Sequence, residues 1–128
     1  MTIEKEVETV LGDVELAFSK LDIGEWLDCF HPTRIIVLPN AVLAPSSVEE
    51  CEVLLGGYIE KLRSQGYNKS NLDKLKVRPL TETTAMASTV WSRFNNNVLI
   101  ETVGATYLFI KMDGRWKITM VTVHPESV

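Results

Sequence analysis

Thr83-Thr-Ala-Met-Ala-Ser-Thr-Val-Trp-Ser-Arg-Phe94, then Asn95-Asn96-Asn97, then Val98 to Lys111, Met112-Asp113-Gly114-Arg115, and Trp116 to His124: this stretch decides the fold. It contains three long alternating runs separated by two turn signals. Asparagine tolerates positive φ and bonds its own backbone, so Asn95–Asn97 reads as a turn. Asp113-Gly114 is a strong hairpin signal, because a type I′ turn needs positive φ at both central residues. A long antiparallel meander after a helical first half suggests a curved sheet wrapped around helices, a shape that encloses a pocket.

Upstream the period changes. Ile3, Val7, Val10, Leu11, Val14, Ala17, Phe18 and Leu21 recur at helical spacing, with Glu4, Lys5, Glu8, Asp13 and Glu15 mostly opposite. That is an amphipathic helix. Asp22 to Phe30 reads as a short second helix capped by Asp22 and ended at His31 by Pro32. Thr33–Leu38, the turn Pro39-Asn40 and Ala41–Leu43 read as a small hairpin. Ser46 and Ser47 each precede an acid by three residues, Glu49 and Glu50, a capping box in two registers. The third helix they open runs to about Gln65, stopped by Gly66. Residues 67–71 read as polar loop, and Leu72–Leu80 as the first strand of the sheet, with Pro79 marking an edge or a bend. Segregated helices and strands make this an α+β domain, with helices on one face of the sheet.

The 128 residues are expected to form one domain over 1–128. A hydrophobic share of 45% supports a real core. The formal charge of −4 argues against a nucleic-acid partner. Cys29 and Cys51 are too few for a disulfide framework and read as reduced thiols of a cytoplasmic protein. No signal peptide and no membrane-spanning apolar run is seen, so no membrane association is expected.

The order of elements resembles the nuclear transport factor 2-like superfamily, the cone-shaped fold shared with SnoaL-type cyclases and ketosteroid isomerases. The residues that carry the likeness are Trp26-Leu-Asp-Cys-Phe30, Ala85 to Trp91, and Asp113-Gly-Arg-Trp-Lys-Ile118, similar to a "DG-x-W-x-I" hairpin that recurs near the C-terminus of these domains. The resemblance implies a cone-shaped roll: three helices on the concave face of a strongly curved, mostly antiparallel sheet. It also implies a homodimer formed through the convex sheet face. Such folds host binders, enzymes and interaction modules alike.

Side chains alternate along strands, so the turns assign faces. A two-residue turn at Asp113-Gly114 pairs Lys111 with Trp116, Phe109 with Ile118, Tyr107 with Met120 and Val103 with His124. A three-residue loop at Asn95–Asn97 pairs Phe94 with Val98 and Trp91 with Glu101. One face then gathers Trp91, Arg93, Glu101, Tyr107 and His124 around small residues, the profile of a pocket wall. The other gathers Met86, Val90, Leu108, Ile110, Val121 and Val123, which would suit a second copy.

Glu101 is the acid set well inside a strand. Beside His124 it would form an acid–base pair; opposite Arg93 it would be a salt bridge. Trp26, Phe30, Tyr58, Trp91, Arg93 and Tyr107 are the candidate ligand-binding residues; most of the aromatics also suit plain core packing. The enzymes it resembles place an Asp base on a cavity strand, a place that neither Asp28, on a helix, nor Asp113, in a turn, would fill. The two histidines lack metal-ligand spacing, and no phosphate loop or nucleophile elbow appears, so neither metal nor cofactor is expected. Three functions stand: binding of a small, largely apolar molecule, somewhat favoured; an isomerase, dehydratase or cyclase using Glu101 and His124; and a dimeric interaction module without ligand chemistry.

Overall fold

The computed structural model describes residues 1–126; positions 127 and 128 of the expected domain lie outside it. Three helices, α1 (Ile3–Ser19), α2 (Ile23–Asp28) and α3 (Val48–Ser64), pack with a curved, unclosed six-stranded sheet. The strands are β1 (Phe30–Leu38), β2 (Ala41–Leu43), β3 (Lys69–Pro79), β4 (Thr84–Asn95), β5 (Val98–Met112) and β6 (Arg115–His124). Their order is β2-β1-β6-β5-β4-β3. Every pairing is antiparallel except β1 with β6, so the sheet is mixed.

Local chemistry explains the helix ends. The Thr2 hydroxyl accepts the Lys5 N–H at 3.2 Å, and the Asp22 carboxylate accepts the Glu25 N–H at 3.0 Å. Of the two capping registers before α3, Ser47 takes the cap, accepting from the Glu50 N–H at 3.1 Å. Ser46 instead donates to the Glu50 carboxylate at 2.9 Å. Gly66, at φ +72°, ends α3 in a Schellman turn, with the Tyr67 N–H donating to the Leu62 carbonyl at 3.0 Å. No helix among the described residues is long and apolar enough to cross a membrane.

Two boundaries differ from expectation. The chain enters β1 at Phe30, so His31 is not a helix cap: its Nδ1 accepts the Thr33 N–H at 2.9 Å within the strand. The β1–β6 pairing lapses between Phe30 and Ile35, which accommodates Pro32 without a ladder donor. β3 begins at Lys69, so the expected loop 67–71 is partly strand, and Ser70 within it is buried.

The registers decide which side chains face inward. Asp113 and Gly114 both hold positive φ, as a type I′ turn requires. Lys111↔Trp116 and Phe109↔Ile118 pair as the turn predicts. Thr119 is then skipped by a bulge: Leu108 pairs with Met120, Tyr107 with Val121 and Gly104 with His124. One extra residue exchanges the faces of everything beyond it. Val121 and Val123 therefore line the concave side, while Met120, Thr122 and His124 lie on the convex side. At the other turn the loop is Asn96-Asn97, not three residues, and Ile100 is bulged. These two departures add to a shift of two, which preserves parity. Arg93 pairs with Glu101 and Trp91 with Val103, still on the concave face.

Candidate ligand cavity

The concave face, α1 and α3 enclose a cavity of about 340 Å³. Its inner wall is buried: Phe18, Trp26, Ile36, Leu55, Trp91 and Tyr107. Exposed Pro39 and Asn40, with half-buried Glu15, Tyr58, Glu101 and Val103, mark where it opens.

One polar network crosses this apolar wall. Arg93 and Glu101 are cross-strand partners, and Arg93 Nε donates to Glu101 Oε2 at 3.0 Å. The Tyr58 hydroxyl donates to the same oxygen at 2.5 Å. Arg93 Nη1 reaches Ser70 Oγ at 3.3 Å, and Ser70 is also hydrogen-bonded to the Tyr67 hydroxyl. The guanidinium lies 4.5 Å from the Phe18 ring centroid, with Tyr67 at 5.9 Å and Tyr58 at 6.0 Å, a cation–π cage. Burial opposes the Arg93 charge, but the tyrosines and Glu101 outweigh it and hold its pKa above the ordinary value. Burial likewise drives the Tyr58 phenol well up, with Arg93 opposing and Glu101 adding to the rise.

The sequence places these partners by identifiable means. The Schellman turn at Gly66 delivers Tyr67 onto Arg93. The asparagine run fixes the same end of the sheet: Asn95 Nδ2 donates to the Gln65 carbonyl at 3.2 Å, and the Asn96 N–H to Asn68 Oδ1 at 2.9 Å.

Glu101 and His124 do not meet. The bulge at Thr119 puts His124 on the convex side. There its Nε2 contacts Thr106 Oγ1 at 2.8 Å and its Nδ1 the Pro125 carbonyl at 2.6 Å. The expected acid–base pair is therefore not formed. Of the aromatic candidates, Trp26, Tyr58, Trp91 and Tyr107 reach the wall, as does Arg93. Phe30 does not; it is core behind Trp26, the ring centroids 4.7 Å apart.

The deep wall holds a second polar pair. The Trp91 indole N–H is buried with no hydrogen-bond partner among the described residues. Tyr107 sits beside it, and burial pushes its phenol up to about 12, against the opposing pull of the Trp91 N–H, Arg93 and Thr89. Neither the Trp91 nor the Thr89 contact closes to a hydrogen bond: Thr89 Oγ1 donates instead to the Ala105 carbonyl at 2.7 Å.

Sequence reasoning missed Glu15, Phe18 and Ser70 as wall residues. Phe18 was visible only as helix core. Glu15 falls on the solvent side of α1 by periodicity, yet it flanks the Val14–Phe18 stripe and lines the cavity. Ser70 falls in the polar stretch 67–71 that reads as loop, and it is in β3.

A family model described as NTF2-like protein (DUF6841) matches residues 5–126. No curated protein matches the chain in sequence. Solved structures match its fold. An NTF2-like protein of unknown function from Shewanella oneidensis is 16% identical, with a TM-score of 0.71, covering 93% of this chain and 96% of its own. An NTF2-like protein with a cystatin-like fold from Novosphingobium aromaticivorans is 11% identical at TM-score 0.76, covering 93% and 79%. A candidate ketosteroid isomerase from Shewanella frigidimarina is 18% identical at TM-score 0.70, covering 91% and 92%.

Proposed function

The chain belongs to the NTF2-like family DUF6841, and from that premise we propose that it binds a small, largely apolar organic molecule in the cavity between its helices and curved sheet. The observation that carries this reading is a 340 Å³ apolar cavity whose inner charged groups, Arg93 and Glu101, are paired with one another, with Glu15 at the opening. Glu101 accepts from Arg93 and Tyr58 through one oxygen, an arrangement that suits a structural carboxylate. The imidazole partner expected for Glu101 lies on the other side of the sheet. The isomerase, dehydratase or cyclase reading built on Glu101 and His124 loses its geometric support. The cavity volume lies at the small end of the range for organic ligands, roughly 300–1,000 Å³.

Titration with N-phenyl-1-naphthylamine, a neutral apolar fluorophore, tests this reading. Saturable enhancement at one probe per chain is expected. Enhancement that rises without saturation would contradict it.

We also propose that a second copy covers the convex sheet face. Ile35, Val37, Met86, Leu108 and Met120 lie on it, only partly covered by their own chain. Lys74, Lys76 and Arg78 of the edge strand β3 form its exposed basic margin. Two unpaired, buried cysteines, Cys29 and Cys51, suit the reducing cytoplasm.

A further inference from the structure

We propose that Trp91 and Tyr107 form the recognition point of the cavity, so that its ligand is a neutral molecule carrying a hydrogen-bond acceptor such as a ketone oxygen, and not an organic anion. This rests on the ligand-binding reading above and names the chemistry of its ligand. Buried N–H groups are nearly always satisfied, and an orphan donor calls for an explanation. Trp91 Nε1 is such a donor, on a residue only 4% exposed whose side chain lines the cavity. Indole nitrogen donates only, so it selects acceptors. Tyr107 lines the same wall beside it, and its phenol remains protonated, and thus a donor, across the neutral range. The Trp91 N–H leans toward the Tyr107 oxygen without closing to a hydrogen bond, and no protein acceptor takes the Tyr107 hydroxyl among the described residues, so a ligand oxygen would supply the lone pairs that both donors lack.

The anion alternative is met by Arg93, the cation of this wall. Its Nε is committed to Glu101 and its Nη1 to Ser70, and three aromatic rings surround it. A ligand carboxylate would have to displace Glu101 or bring a second carboxylate beside it. Like charges in a low-dielectric site repel strongly, so the pairing rejects anions without engaging Trp91 or Tyr107. Elsewhere the cavity wall is apolar, with Ala105, Val121, Ile36 and Trp26 among its lining, which complements a hydrocarbon body.

Three probes of one shape separate the possibilities: 1-indanone, indane and indane-1-carboxylate. Each is titrated by calorimetry, and the indole N–H signals are followed by ¹H–¹⁵N NMR, with Trp91→Phe identifying the Trp91 signal. The ketone is expected to bind at least about tenfold more tightly than indane, to move the Trp91 indole proton downfield, and to bind more tightly than the carboxylate. In Trp91→Phe, and separately in Tyr107→Phe, the preference for ketone over hydrocarbon should shrink. Equal affinity for indanone and indane would overturn the recognition point while leaving the binding reading intact, as would tightest binding by the carboxylate or an unmoved Trp91 signal in the bound state. Failure of all three probes to bind would overturn the binding reading and this inference with it.

Discussion

Arg93 and Glu101 face each other across β4 and β5, with side chains 13% and 29% exposed. Removing the carboxylate charge leaves a mostly buried guanidinium with weakened compensation. Glu101→Gln should therefore lower unfolding stability by about 1–3 kcal/mol in urea denaturation, while leaving the affinity of a neutral cavity probe within a few-fold. An unchanged midpoint would show that the pair is not structural. Tyr107 gives a pH signature at the same scale. Its phenol is pushed up to about 12 by burial, with Trp91 and Arg93 opposing. The unfolded value is about 10. Above that pH the unfolded chain has released a proton that the folded chain still holds, so stability falls as pH rises from about 10 to about 12. Tyr58 is shifted the same way, also by burial. Below pH 10 neither phenol makes stability depend on pH. Tyr107→Phe should flatten part of the alkaline decline; identical slopes in the two proteins would contradict the assignment.

Among the elements, β6 shows where a sequence reading succeeds and where it stops. Asp113-Gly114 declares its turn because few residue pairs accept two positive φ angles, so the hairpin and its first pairs were legible. A bulge has no such marker: Thr119 is an ordinary strand residue, and its insertion reversed the facing of His124 and removed the expected partner of Glu101. The asparagine turn was misread in length, yet Glu101 still faced inward, because the turn and the Ile100 bulge together shift the register by two. The Arg93–Glu101 pairing was legible as an alternative. The cage from Phe18, Tyr58 and Tyr67 was not, since those residues converge from α1, α3 and the segment after it. Two substitutions test this account of β6. Gly104 lies beneath His124, and a Cβ there would meet the imidazole at 2.5 Å and the Pro125 carbonyl oxygen at 2.7 Å. Gly104→Ala should thus cost about 1–3 kcal/mol, and a thermal melt matching the parent would mean His124 lies elsewhere. Trp116 is buried and donates through Nε1 to Glu6 Oε1 at 2.7 Å, tying the hairpin to α1. Trp116→Ala should cost about 3–5 kcal/mol; a shift in melting temperature of a degree or so would place Trp116 at the surface.

The whole molecule sets an apolar cavity on one side of its sheet and a partly open apolar surface on the other. An exposed apolar face of this kind is unusual on a monomer, and the proposed homodimer would cover it. Sedimentation at micromolar concentration should give about twice the 14.4 kDa chain mass, and Leu108→Lys should shift it toward the monomer. A parent protein that sediments as a clean monomer would contradict the dimer. The ligand claim concerns the opposite face and can be tested independently. Ala105 is a small buried residue on the cavity wall, so Ala105→Phe fills the space from within without touching the convex face. The decisive measurement is N-phenyl-1-naphthylamine binding to the parent protein and to Ala105→Phe, under conditions where circular dichroism shows both folded. The account predicts one saturable site per chain in the parent and its loss in Ala105→Phe; equal binding by the two proteins, or no saturable site in the parent, would contradict it.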